Sequence, residues 1–275
     1  MIRILHPSAE QCLAMISIMK QSNHNNSKIN FLSKAGAVIA ALAFWQIAAM
    51  RIHQKILLVS PWEVFLRLTT IWQVKGFVSS IGFTFGHIVL GFVLGLVSGM
   101  LFAFLASRFS LVDTLLWPWV VTIKSVPVAS FVIICLIWLS AGNLSVFISF
   151  LIVFPVVYQN LLTGLRSTDP KMQEMAKIFR LPWYRKLLFI SLPQLEPYLR
   201  SACSLSIGMS WKAGVAAEII GTPDGSIGQM LYYAKIYLDT DDLLAWTVII
   251  VLISICFEKL FVFCLKRLFA LLYRI

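Results

Sequence analysis

Few side chains of this sequence are placed to do bond-making chemistry. The four histidines, His6, His24, His53 and His87, are scattered without metal-ligand spacing, so no metal site is expected. The cysteines Cys12, Cys135, Cys203, Cys256 and Cys264 are odd in number and contain no C-x-x-C pair, and all but the first lie in apolar runs, where they read as small hydrophobes. No G-x-x-x-x-G-K-[ST] loop is present to cradle a nucleotide's phosphates. What stands out instead is charge inside apolar segments. A basic residue near the middle of a spanning helix costs roughly 2.5–3.5 kcal/mol on insertion scales, and Lys124 and Lys212 occupy such segments. Lys124 with Ser125 and Pro127, and Lys212 with Glu218, are therefore the candidate lining of a water-filled path for an anionic or polar solute. The competing explanation is snorkelling of a long side chain, or a pair with a carboxylate such as Glu218.

The second unusual stretch runs from Arg166 to Pro193, RSTDPKMQEMAKIFRLPWYRKLLFISLP, and is the longest polar interruption in the second half of the chain. Asp169 can cap a helix whose first residue is Pro170, and Met172, Met175, Ala176 and Phe179 then fall at i, i+3, i+4 and i+7 on one apolar face. A second short amphipathic run follows Pro182, with Trp183, Leu187 and Ile190 spaced by four and three. Two such helices, at right angles to the spans on the cytoplasmic side, form a ledge suited to a soluble partner; an ordinary solvated loop is the alternative.

The elements that must position these groups follow from composition. A hydrophobic fraction of 59% and a charged fraction of 13% in 275 residues exclude an ordinary soluble domain, because lipid must solvate the apolar surplus. The fold class expected is all-α: a polytopic membrane bundle of about six helices. The spans fall at roughly 34–50, 77–107, 111–139 (broken by Pro118 and Pro127), 144–165, 198–217 and 243–265. Between the first two, the run after Pro61 is too charged to cross and reads as an interfacial amphipathic helix. Gly91, Gly95 and Gly99 carry the small-xxx-small spacing of close helix packing, expected in a homodimer contact or against a neighbouring helix of the same subunit. The organisation is a cytoplasmic tail over 1–33 and a transmembrane domain over 34–275, with 166–194 as a cytoplasmic loop.

The balance of 23 Lys and Arg against 12 Asp and Glu, net +11, reads as membrane topology and not as nucleic-acid binding, because the basic residues lie between apolar segments without an aromatic-interleaved surface. With both termini inside, the outer segments hold only Arg51, Lys55, Arg67, Lys75 and Lys235, and the loop with Glu218, Asp224, Asp239, Asp241 and Asp242 also falls outside.

Against this frame the Arg166–Pro193 stretch resembles the E-A-A, three residues, G, nine residues, I-x-L-P loop of bacterial ABC importer permeases. Glu174 and Ala176 match its first and third letters, and Ile190, Leu192 and Pro193 match its ending, while Met175 replaces the middle alanine and Arg180 stands at the glycine. Lys124-Ser125-Val126-Pro127, Ile137 to Gly142, Arg166 to Pro170, Trp211-Lys212, and Ala216 to Gly221 followed by Gly225-Ser226-Ile227-Gly228 are similar to the nitrate, sulfonate and taurine group of these permeases. That group also includes importers of pyrimidine precursors.

The resemblance implies a type I importer permease-like bundle in a bacterial inner membrane. It implies that two copies form the pathway, that an ATPase partner binds ATP and Mg so that this chain holds no cofactor, and that a periplasmic or extracellular binding protein delivers the solute. The ATPase would dock on Asp169, Met172, Glu174, Met175, Ala176, Phe179, Arg180, Ile190, Leu192 and Pro193. Two other classes remain to be separated from it. An integral-membrane transferase would need clustered acidic residues or histidines, and an ion-coupled secondary transporter would show internal repetition and buried carboxylates.

Overall fold

The structure, a computed structural model, describes residues 33, 36–52, 58–167, 170–182, 185 and 190–272. Apart from Ser33, the expected tail lies outside the described residues, as do Asp169, Trp183 and Leu187. All regular structure among the described residues is helical. The helices are α1 (Gly36–Ile52), α2 (Pro61–Thr70), α3 (Phe77–Arg108), α4 (Ser110–Ser125), α5 (Val128–Cys135), α6 (Ala141–Arg166), α7 (Pro170–Ile178), α8 (Leu192–Gly221), α9 (Ile227–Ile236) and α10 (Thr240–Leu272).

Two compact units divide the chain, the first ending at Phe65 and the second beginning at Leu66. In the first, α1 is an alanine-rich apolar helix whose Trp45 indole N–H donates to the Val59 carbonyl at 3.0 Å. The start of α2 is a reciprocal cap: the Ser60 amide donates to Glu63 Oε2 at 3.2 Å and the Glu63 amide donates to Ser60 Oγ at 3.3 Å, with Pro61 following the cap.

In the second unit, α3, α6 and α8 form the centre. Phe92, Val153, Val157, Ile207, Trp211 and Trp246 are among the buried residues that make one continuous core. One buried stripe of α3 is made of small or short side chains, Ser80, Thr84, Gly91, Gly95, Gly99 and Ala103, interrupted by Ile88. A Cβ on Gly95 would stand 2.7 Å from Val153 Cβ, and one on Gly91 would stand 2.3 Å from the Val146 carbonyl oxygen. The glycine face is thus filled by α6 of the same subunit. Of the two packings expected for this face, a homodimer contact and a neighbouring helix of the same subunit, it makes the second. Close backbone approach at these positions replaces the apolar driving force that lipid cannot supply.

The third expected span is broken at Pro127 but not at Pro118, which lies inside α4: α4 ends at Ser125, Val126 is extended, and α5 leaves Pro127 at 105° to α4. The residue before proline is driven out of the helical region, and proline cannot donate to the turn behind it. Among the described residues three helices, α3, α6 and α10, are long and apolar enough to cross a membrane, and α4 with α5 as one bent span makes four. Of the other two expected crossings, α1 is apolar but shorter, and the 30-residue α8 carries Glu196, Arg200, Lys212 and Glu218.

Arg67 of α2 has an acidic partner. Its Nε and Nη2 donate to the two carboxylate oxygens of Asp242 in the first turn of α10, the second at 3.0 Å. That hydrogen bond, with the neighbouring acidic charges, raises the guanidinium above its usual pKa.

Candidate coupling ledge and solute path

The helix α7 follows the long span α6 after a short break. Its end is closed by a Schellman turn: the Leu181 amide donates to the Ala176 carbonyl at 3.0 Å, and Phe179 donates to Met175 at 3.0 Å. The residue between, Arg180, takes φ +50°. This is the left-handed position that glycine favours, so the turn forms even where the loop motif has lost its glycine.

Of the four residues predicted on the apolar face, Ala176 is buried at 3% exposure, whereas Met172, Met175 and Phe179 stand 43%, 42% and 71% exposed. Ile178, not singled out from the sequence, is more exposed still. Glu174 is exposed on the same short helix, and its alternative partner Lys177 has a side chain outside those described. At the far end of the loop Ile190 is buried, and Leu192 and Pro193 open α8.

The ends of the spans beneath this ledge are tied together by contacts that the sequence does not advertise. Asp113 of α4 accepts from the Tyr158 hydroxyl and from Arg166 Nη2 of α6, each at 2.7 Å. Ser167 donates to the Tyr198 hydroxyl of α8 at 2.9 Å, and the Tyr198 ring lies where a Cβ on Gly164 would stand. The missed signal is the absence of a side chain at Gly164 beneath an aromatic residue, a pairing visible only once α6 and α8 are side by side.

The candidate path residues fall in three places. Lys124, in the last turn of α4, donates to Gln159 Oε1 of α6 at 2.7 Å, so a polar side chain of a neighbouring helix meets its charge. Ser125 donates to the Val121 carbonyl at 2.8 Å, and Pro127 marks the bend. Lys212 is exposed on α8 and lines a cavity of about 450 Å³ with Trp211, Thr247 and Ser254.

Glu218 is fully buried and makes no ion pair with Lys212 among the described residues. Its Oε2 accepts from the Thr84 hydroxyl at 2.7 Å and from the Gly228 amide at 3.3 Å, while Thr84 Oγ1 accepts from the Ile227 amide at 2.9 Å. The other carboxylate oxygen and the hydroxyl of Ser145 are both buried without a hydrogen-bond partner among the described residues. A carboxylate at the first turn of α9 is matched to the exposed amides there and to the positive end of the helix dipole. The group ties α3, α8 and α9 together, and Gly228 permits it, since a Cβ there would fall 2.2 Å from Glu218 Cβ.

Residues 91–272 match the profile of the binding-protein-dependent transport system inner membrane component family. The chain is 26% identical over 181 residues to the aliphatic sulfonates transport permease protein SsuC of Bacillus subtilis, covering 63% of this chain and 65% of that one. It is 24% identical over 233 residues to the taurine transport system permease protein TauC of Escherichia coli, covering 82% of this chain and 84% of that one. A crystal structure of an amino acid ABC transporter with histidines shares the fold at a TM-score of 0.52 and 16% identity, over 75% of this chain and 97% of its own. These matches set aside the transferase and the ion-coupled transporter. The chain belongs to the binding-protein-dependent transport system inner membrane component family and is a multi-pass ABC transporter permease of the inner membrane.

Proposed function

We propose that two copies of this chain form the path of an ATP-driven importer for a small anionic solute of the sulfonate or nitrate kind, with α7 seating the ATPase that binds ATP and Mg. The observation that carries this reading is the exposed apolar face of α7. Met172 and Met175 on a nine-residue helix and Phe179 in the turn just after it stand uncovered next to a long span, where a soluble partner's cleft can cover them. An external binding protein delivers the solute to the opposite end, and both termini lie with the ledge on the cytoplasmic side. The names of the sulfonate and taurine relatives support an anionic solute. So do Lys124 and Lys212, cations on helices expected to span. Alternating access then requires that movement of the ATPase reach the spans, and the ties at Asp113 and Tyr198 provide a stiff connection from the ledge root to α4, α6 and α8.

Glu174 tests the docking. A charge desolvated in an interface and deprived of its partner costs about 2–5 kcal/mol, whereas an i,i+3 pair on a free helix contributes only about 0.2–0.5 kcal/mol. Glu174→Ala is expected to lower recovery of the co-expressed ATPase in a pull-down sharply while membrane insertion stays normal. Equal recovery with variant and parent rejects the assignment.

A further inference from the structure

A groove of about 590 Å³ lies between α8 and α10, lined by Arg200, Ser201, Ser204, Glu258, Lys259 and Lys266 with apolar residues at its edge. Its charge is unbalanced. Glu258 is its one carboxylate and accepts from the Ser204 hydroxyl, whereas Arg200, Lys259 and Lys266 form no ion pair among the described residues. Three cations facing one engaged carboxylate make a site for an anion of moderate size.

Its level along the helix identifies which anion. The acidic residues Asp241 and Asp242 open α10, and about 20 helical residues cross the roughly 30 Å apolar layer, which brings the far interface near Val262. Glu258, Lys259 and Lys266 straddle that level. Just beside them Leu260 and Phe263 of α10, and Leu205 of α8, are more than half exposed, and Arg267 lies over the Phe263 ring at 5.2 Å. A basic, hydroxyl-bearing hollow thus adjoins an apolar helix surface at headgroup depth.

We propose that this groove binds the phosphate headgroup of an anionic phospholipid, with the acyl chains lying along the exposed apolar residues of α8 and α10. Basic hollows between spanning helices take anionic headgroups because the phosphate meets fixed cations while the chains remain in hydrocarbon. A free phosphate would satisfy the cations but leave the adjoining apolar strip without a role. The leaflet follows from the orientation proposed above, being that of the α7 ledge; the headgroup chemistry does not depend on it.

The test uses the full-length protein reconstituted in nanodiscs of phosphatidylcholine containing phosphatidylglycerol, then released into detergent and weighed by native mass spectrometry. The parent is expected to retain phosphatidylglycerol in preference to phosphatidylcholine, and millimolar glycerol 3-phosphate or inorganic phosphate is expected not to displace it. Each cation near such a headgroup contributes about fivefold, so Arg200→Gln with Lys266→Gln should lower retention by at least about tenfold. Lys235→Gln, on α9 at the other end of the bundle, should leave retention at the parental level. Unchanged retention in the double variant, equal retention of both lipids by the parent, or displacement by free phosphate would overturn the proposal. So would collapse of the parental oligomer to monomer in the double variant, which would make the groove a subunit contact. Glu174→Ala should retain lipid like the parent, so failure of the docking assignment and failure of this one are separately visible.

Discussion

Glycine has opposite meanings at the α3–α6 seam and at the end of α7. At the seam Gly95 has ordinary helical torsions, and its missing side chain matters because Val153 Cβ lies 2.7 Å from where a Cβ would go. At the ledge the relevant torsion is left-handed, at φ +50°, and Arg180 adopts it on an exposed turn. The first site needs glycine for space and the second would favour it for backbone freedom. The difference explains why the seam retains its glycines and the ledge can do without one. Lost space between two packed helices has no local remedy, whereas an unfavourable torsion costs an amount that one hydrogen-bonded turn can sustain.

The same contrast applies to burial. The seam satisfies its own surface: Gly91, Gly95 and Gly99 meet α6 backbone and β-branched side chains directly. The ledge does not, because Phe179 and Ile178 are more than two-thirds exposed. A region complete within one subunit should therefore respond to substitution through stability, and a region completed by a partner should respond through association.

The largest effect expected is at the seam. Gly95→Leu introduces a Cβ inside the contact distance of Val153 and 3.0 Å from the Phe150 carbonyl, together with a branched side chain that has nowhere to go. Overpacking by even a few methylenes costs about 1–3 kcal/mol, and here the backbone oxygen cannot rotate away, so a loss of about 3 kcal/mol or more is expected. Thermal unfolding in detergent should show the melting temperature falling well below that of the parent and the yield of folded protein dropping. Parental stability in this variant would mean that α3 and α6 separate without penalty, and the seam would no longer be the fixed half of the comparison.

The sequence carried much of this contrast but not its geometry. The ranges expected for four of the spans lie inside the helices found, at Phe77–Arg108, Ala141–Arg166, Leu192–Gly221 and Thr240–Leu272, because long apolar runs bounded by charge have few other folds available. Pro127 announced the break after α4 for the same kind of local reason. The glycine stripe announced close packing, yet spacing alone could not say whether α6 or a second subunit fills it. Glu218 illustrates the wider limit. Its position shortly before Gly221 and Gly228 was visible, whereas its partner Thr84 lies 134 residues away and carries no mark of its own. Contacts between distant helices depend on rotation about each helix axis, and a periodic pattern fixes that rotation only to within a face. On the ledge the heptad-like spacing found the apolar face, but Ala176 turned inward and Ile178 outward, a distinction that depends on how the helix lies against the bundle.

A smaller effect is expected on the ledge. Phe179→Ser removes an exposed aromatic side chain that has no core to support, and surface changes of this kind usually shift stability by less than about 0.5 kcal/mol. A truncated aromatic anchor at an interface, in contrast, typically costs about 1–2 kcal/mol or more. The melting temperature of the isolated permease should hardly move while the ATPase dissociates from it about five- to thirtyfold more readily, as read by titration on immobilised permease. A fall in melting temperature with ATPase affinity unchanged would show that the face is covered by the chain itself, and the distinction between the two regions would fail at that point.

The smallest effect expected is at Arg180, where two modest terms oppose each other. Glycine at the left-handed position relieves a strain of about 1–2 kcal/mol carried by an ordinary residue, but it also increases the freedom of the unfolded chain and removes a cation from the favourable C-terminal end of the helix, each worth about 0.3–1 kcal/mol. Arg180→Gly should therefore tighten the turn by a few tenths of a kcal/mol up to about 1 kcal/mol. The reporter is the Leu181 amide, which donates to the Ala176 carbonyl across the turn. After correction for intrinsic rates, its hydrogen exchange should slow by up to about fivefold, the factor equivalent to 1 kcal/mol at 25 °C. Arg180→Ala separates the terms, since it keeps the strained torsion and loses the charge, and it should exchange somewhat faster than the parent. If the glycine variant also exchanges faster, the charge and chain-freedom terms exceed the torsional one at this turn, and the ledge would then differ from the seam in charge and not in backbone freedom.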